Sequence, residues 1–139
     1  MTKSLKFLLL LSMLFIFSCS SDDDIVGSWT LTQAVLDCPA SSGIASATIQ
    51  GENGCFTVEG ETQCFSADFR DDGTVTISFS EDGESFSGVF NYSFLNDTQL
   101  DLCFVNDPSD CTRGEFDGEN FSLLSNEDEC DIRFVFSRG

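Results

Sequence analysis

A chain of 139 residues with 24 acidic side chains against six basic ones, and no histidine, carries a net charge of −18 at neutral pH. That balance argues against nucleic acid as a partner, because phosphates demand Lys and Arg. Without histidine, general-base work would fall to a carboxylate, and among 24 of them no pair is singled out.

Lys3 and Lys6 precede a run from Phe7 to Phe17 that is apolar but for Ser12. It is too short for a membrane-crossing helix, which needs roughly 20 residues, and residues 1–18 read as a signal peptide. Ile16, Ser18 and Cys19 resemble the lipobox of bacterial lipoproteins, an apolar residue followed by any residue, a small one and cysteine. The resemblance implies cleavage before Cys19 and acylation of its sulfur and new amino terminus with chains such as palmitate. Several chains, at about 0.8 kcal/mol per buried methylene, hold a protein on a membrane where one would not. Asp22, Asp23 and Asp24 resemble the acidic export signal of Bacteroidota lipoproteins, which implies an outer-membrane protein displayed at the cell surface. Residues 19–24 then form a lipid-anchored acidic tether.

Cleavage would leave 139 − 18 = 121 residues, the size of one domain, here 25–139. Its charge would be 4 − 24 = −20, from Arg70, Arg113, Arg133 and Arg138 against all the carboxylates. Such a charge suits a solvated surface, or a partner that is cationic or calcium-bearing. The domain reads as a monomer.

From Ile25 onward apolar residues recur with period two rather than 3.6. Strands are expected at 26–36, 54–58, 62–70, 74–80, 85–95, 99–105, 119–124 and 130–137. The clearest alternation is Phe86, Gly88, Phe90, Tyr92, Phe94, set between polar residues. Phe65, Ala67, Phe69 and Val75, Ile77, Phe79 repeat it, as do Leu100, Leu102, Phe104 and Ile132, Phe134, Phe136. Asp72-Gly73 and Asp82-Gly83 are type I′ hairpin signals and Glu59-Gly60 a weaker one. Asn106 to Asp110 reads as a loop that Pro108 keeps out of a central strand. Pro39 to Asn53 is the longest irregular piece. About eight short antiparallel strands joined by hairpins mean an all-β fold, an up-and-down barrel or a sandwich.

Removing Cys19 leaves six cysteines, an even number that in an exported domain reads as a disulfide framework. A two-residue turn at Glu59-Gly60 sets Cys55 opposite Cys64. Cys103 and Cys111 flank the Pro108 loop, and Cys38 and Cys130 lie at barrel ends that adjoin on closure. Six cysteines allow 15 pairings, and sequence does not select one. No Cys-x-x-Cys spacing is present, so a structural zinc site is not expected.

Gly27-Ser28-Trp29 opens the first strand, Phe69 to Thr76 contains a Phe-x-x-Asp-Gly-Thr hairpin, and Gly88 to Leu102 holds Gly-x-aromatic and Leu-x-Leu strands. Over most of residues 25–137 these motifs resemble the lipocalin-like domains of Bacteroidota surface lipoproteins. The resemblance implies a small antiparallel barrel in which Gly27 and Trp29 close one end and an arginine from the chain's end packs on the tryptophan. Arg138 shares the strand parity of Phe134 and Phe136 and is the residue expected there, as a cation–π contact of about 0.5–2 kcal/mol. No helix is expected between Asp24 and Gly27, and none after Gly139, so the implied barrel is a minimal one.

No serine lies in Gly-x-Ser-x-Gly or beside a Ser-x-x-Lys, and the domain reads as a non-enzyme without a cofactor. Asp71-Asp72 and Glu81 to Glu84 lack EF-hand spacing and read as solvated hairpin tips rather than calcium ligands. The inward aromatics Phe65, Phe79, Phe86, Phe90, Tyr92, Phe94, Phe104 and Phe134 either line a pocket for a small hydrophobic ligand or fill the barrel. The reading is a surface lipoprotein with a ligand-binding barrel; the alternative is a rigid disulfide-bonded display module whose loops contact a protein or glycan.

Overall fold

Alternating apolar and polar residues build ten strands within residues 24–139, the part that the computed structural model describes. They are β1 (Gly27–Asp37), β2 (Ala47–Gln50), β3 (Cys55–Val58), β4 (Glu61–Phe69), β5 (Thr74–Glu81), β6 (Glu84–Phe94), β7 (Gln99–Phe104), β8 (Asp107–Phe116), β9 (Asn120–Glu127) and β10 (Cys130–Arg138). From β4 to β10 each strand pairs antiparallel with the next. β10 pairs with β1, and β1 returns to β4, which closes an eight-stranded up-and-down barrel. Among the described residues no helix is long and apolar enough to cross a membrane.

The ring differs in membership from the strands expected. The strand expected at 54–58 is β3, which pairs only with the first half of β4 and is not a stave of the barrel. Its place in the count of eight is taken by β8, whose first residues, through Asp110, the sequence suggested were part of a loop. Cys103 faces Cys111 while Phe104 faces Asp107, so three extra residues, Pro108 among them, are absorbed in a bulge. A bulge is where a strand tolerates proline, because no ladder bond needs its missing N–H. The stretch Pro39–Asn53 is also less irregular than expected: it holds a 3₁₀ turn at Ala40–Ser42 and β2.

β1 and β4 meet only over Gly27–Thr30 and Ser66–Phe69, after which they part. β2 follows β1 and β3 follows β4 along the fork, and the connection between them bridges it. Gly51 N–H donates to Thr32 O at 2.7 Å, and Phe65 N–H to Gly54 O at 2.9 Å. Both glycines are needed: a Cβ at Gly51 would lie 3.1 Å from Leu31 O, and Gly54 has φ +80°.

The end of the barrel where β1 and β4 are joined is filled. Trp29, Phe69, Phe121 and Phe136 are fully buried with Leu31, Leu100, Leu102 and Val75. Trp29 Nε1 donates to Ile25 O at 2.8 Å, and the Arg138 guanidinium lies 4.6 Å from the Trp29 ring centroid. Arg138 also donates to the carbonyls of Val26 and Asp24. Contrary to expectation Asp24 and Ile25 are helical, and Ile25 is a fully buried plug for this end.

Three disulfides staple the barrel: Cys38–Cys130, Cys55–Cys64 and Cys103–Cys111. The last two close hairpins with sequence separations of 9 and 8, whereas Cys38–Cys130 spans 92. Restriction of the unfolded chain is worth about 2.6 kcal/mol for the short loops and about 4.6 kcal/mol for the long one. The strands, this core and all three bonds lie within residues 25–139, so this part holds what a domain needs to fold alone.

Candidate functional site

The two ends of the barrel are unlike. At the closed end, hydrogen bonds and packing seal the interior, whereas at the opposite end the ring of aromatics reaches solvent. Phe56, Phe65, Phe79 and Phe86 come from β3, β4, β5 and β6, and the register aligns them: Phe65 faces Phe79, and Phe79 faces Phe86. Ring centroids are 6.0 Å apart for Phe56 and Phe65, 4.7 Å for Phe65 and Phe79, and 6.4 Å for Phe79 and Phe86. Phe134 of β10 reaches across to Phe65 at 5.1 Å. Phe90 and Phe104 pair beside them at 5.4 Å. All are half-buried except Phe86, which is 58% exposed.

This shelf exists because β1 and β4 part above Thr30 and Ser66. With no stave in the gap, aromatics that would fill a complete barrel lose part of their cover. Deeper in, the interior is close-packed around Gly114: a Cβ there would lie 2.9 Å from Leu102 Cδ1 and 3.0 Å from Phe121 Cε2. The exposed aromatic surface lies at the mouth, above this level.

The rim is acidic. Glu81, Asp82, Glu84 and Phe86 line a hollow of about 380 Å³ at the β5–β6 turn. Asp82 and Gly83 both have positive φ, the type I′ geometry expected there. Glu59-Gly60 behaves likewise. Asp72-Gly73 differs, because only Gly73 has positive φ. The Asp72 carboxylate accepts from Thr74 N–H and Oγ1–H instead, and the hydroxyl contact, followed by the backbone one, holds its pKa below the usual 3.8. That turn lies at the closed end.

Of the aromatics expected to line a pocket, Phe65, Phe79, Phe86, Phe90, Phe104 and Phe134 gather at the mouth. Tyr92 and Phe94 do not. Tyr92 packs on Phe69 and donates its hydroxyl to Arg70 O at 2.8 Å, and Phe94 packs on Phe116, all toward the closed end. Phe86, expected inside, stands largely in solvent because it lies near the start of β6, close to the open end of the β5–β6 hairpin. Phe56 was not expected in the set. Its signal was present, since Cys55 opposite Cys64 on the outer face puts Phe56 on the inner one. Cys19, Asp22 and Asp23 lie outside the described residues; Asp24 is exposed. Among the described residues no three Cys, Asp or Glu side chains converge as metal ligands would.

No protein-family model matches this chain, and searches of curated proteins and of solved structures find no significant match.

Proposed function

We propose that this protein is a lipid-anchored, surface-displayed bacterial lipoprotein whose lipocalin-like barrel binds a small apolar ligand at its open mouth. The observation that carries the reading is the stack of Phe56, Phe65, Phe79 and Phe86, left half-covered where a complete barrel would bury it. Aromatic surface kept in water is unfavourable by about 25 cal/mol per Å², and a ligand laid on the shelf removes that cost. The lipobox at Ile16–Cys19 and the acidic run Asp22–Asp24 supply the anchor and the address. Titration of the domain 20–139 with the fluorescent apolar probe N-phenyl-1-naphthylamine should give saturable binding, weakened about tenfold or more by Phe65→Ala with Phe86→Ala. Unchanged affinity in that variant, with the disulfides intact, would rule the shelf out. For the anchor, Cys19→Ala should abolish labelling of the full chain by palmitate in the native cell envelope; persistent label would refute it.

A second reading, a rigid display module that works through its loops, draws on the filled interior at Gly114 and the three disulfides. It forecasts no probe binding at all.

A further inference from the structure

We propose that the occupant of the mouth is a cationic amphiphile, a molecule with an apolar body and an ammonium or guanidinium end. The inference rests on the mouth being the binding site and adds the charge of what it takes. An apolar shelf alone would accept a fatty acid, a neutral lipid or a cationic one with little distinction, so the surroundings of the shelf decide.

Those surroundings carry one sign of charge. Glu81, Asp82 and Glu84 share a hollow of about 380 Å³ with the exposed Phe86 ring. Glu59, Asp128 and Glu129 occupy two further tight turns of the same end, and the β7–β8 turn there, Val105-Asn106, is uncharged. No arginine neutralises this rim. Among the described residues Arg70 pairs with Asp68 and Arg113 with Asp101, Arg133 pairs with Glu115, and Arg138 is held at the closed end against Trp29. Glu81 accepts a hydrogen bond from Gln63 at 3.2 Å, whereas Asp82 and Glu84 have no partner among the described residues.

Three carboxylates of one sign around the Phe86 ring make the local potential negative, and because the group is open to solvent its pull on a charged head is strongest at low ionic strength. A carboxylate-headed amphiphile would bring its charge into that field and be repelled. A neutral one would gain only the shelf. A cationic head gains the carboxylates and, over Phe86, the negative face of an aromatic ring, while its tail lies on Phe79 and Phe65. The site thus selects by charge first and shape second.

The test compares three amphiphiles with one dodecyl tail, each below its critical micelle concentration: dodecyltrimethylammonium, dodecyl maltoside and dodecyl sulfate. Calorimetric titration of oxidised 20–139 should rank them in that order, with the ammonium bound about tenfold tighter than the maltoside. The triple variant Glu81→Gln, Asp82→Asn, Glu84→Gln should remove that preference and leave maltoside binding intact. Raising sodium chloride from about 20 to about 500 mM should weaken the ammonium alone. Equal binding of all three, or a cation preference that survives the triple variant, overturns the charge assignment while leaving the shelf in place. Failure of all three to bind overturns the mouth as a site, and with it this inference.

Discussion

A methyl group added at Gly114 has nowhere to go. Its Cβ would lie 2.9 Å from Leu102 Cδ1, 3.0 Å from Phe121 Cε2 and 3.3 Å from Leu100 Cδ2, all within the buried core. These are side-chain tips, so they give way, but each displaced ring or methyl meets another. Overpacking of this kind costs about 1–3 kcal/mol. Gly114→Ala should lower the unfolding free energy by that amount, and the denaturation midpoint with it, with all three disulfides formed. An unchanged midpoint would mean that the interior holds slack, and would reopen it to a ligand. Gly118, with open space around its Cβ but φ +96°, is required for its backbone instead. The two glycines look alike in the sequence; the side chains packed around Gly114 and the positive φ of Gly118 distinguish them. Arg138 was legible, because period two alone puts it on the inner face with Phe134 and Phe136. The exposure of Phe86 was not, since parity gives a face but not a height along the barrel.

At the scale of elements, strands with clean alternation were readable and those without were not. β8 reads Asp-Pro-Ser-Asp-Cys-Thr-Arg-Gly-Glu-Phe, with almost nothing apolar until Phe116, yet it is a central stave. It faces inward with Thr112 and Gly114 because Leu100, Leu102 and Phe121 already fill that level. β2, four residues reading Ala-Thr-Ile-Gln within the stretch expected to be irregular, was not legible either. The turn after β8 is built by one carboxylate. Asp117 accepts from Glu119 N–H at 2.8 Å and Asn120 N–H at 2.7 Å, and these bonds, that of Asn120 first, hold its pKa below 3.8. A lowered folded-state pKa means stabilisation that is complete above the unfolded value and is lost as pH falls through the folded one. Solvent screening keeps it to at most about 1 kcal/mol. Asp117→Ala should therefore lower the melting temperature equally at pH 5 and pH 7, with the gap to wild type narrowing as pH drops below about 3.8. A gap that widens in acid would mean that the carboxylate is not the capping species.

Across the whole molecule, the same charge that is proposed to select a ligand works against the fold. The chain holds −18 net, and its cations do little to offset this, since each of the three ion pairs is partly exposed. Exposed pairs contribute roughly 0–1 kcal/mol each and are weakened by salt. Mutual repulsion among the remaining carboxylates is weakened too, because the Debye length falls from about 10 Å at 0.1 M to about 3 Å at 1 M. The two effects oppose each other. Among the described residues three attractive pairs stand against the repulsion of a rim with no cation in it, so the repulsive side is the larger, and the barrel should gain stability as salt rises. Thermal melts of oxidised 20–139 at pH 7 should shift upward by several degrees between about 0.02 and about 0.5 M sodium chloride. Neutralising the rim with Glu81→Gln, Asp82→Asn and Glu84→Gln should reduce that shift and raise the melting temperature at low salt. A melting temperature that falls with salt would place the ion pairs above the repulsion. Unaltered salt dependence in the rim variant would show that the mouth carries no disproportionate share of the field.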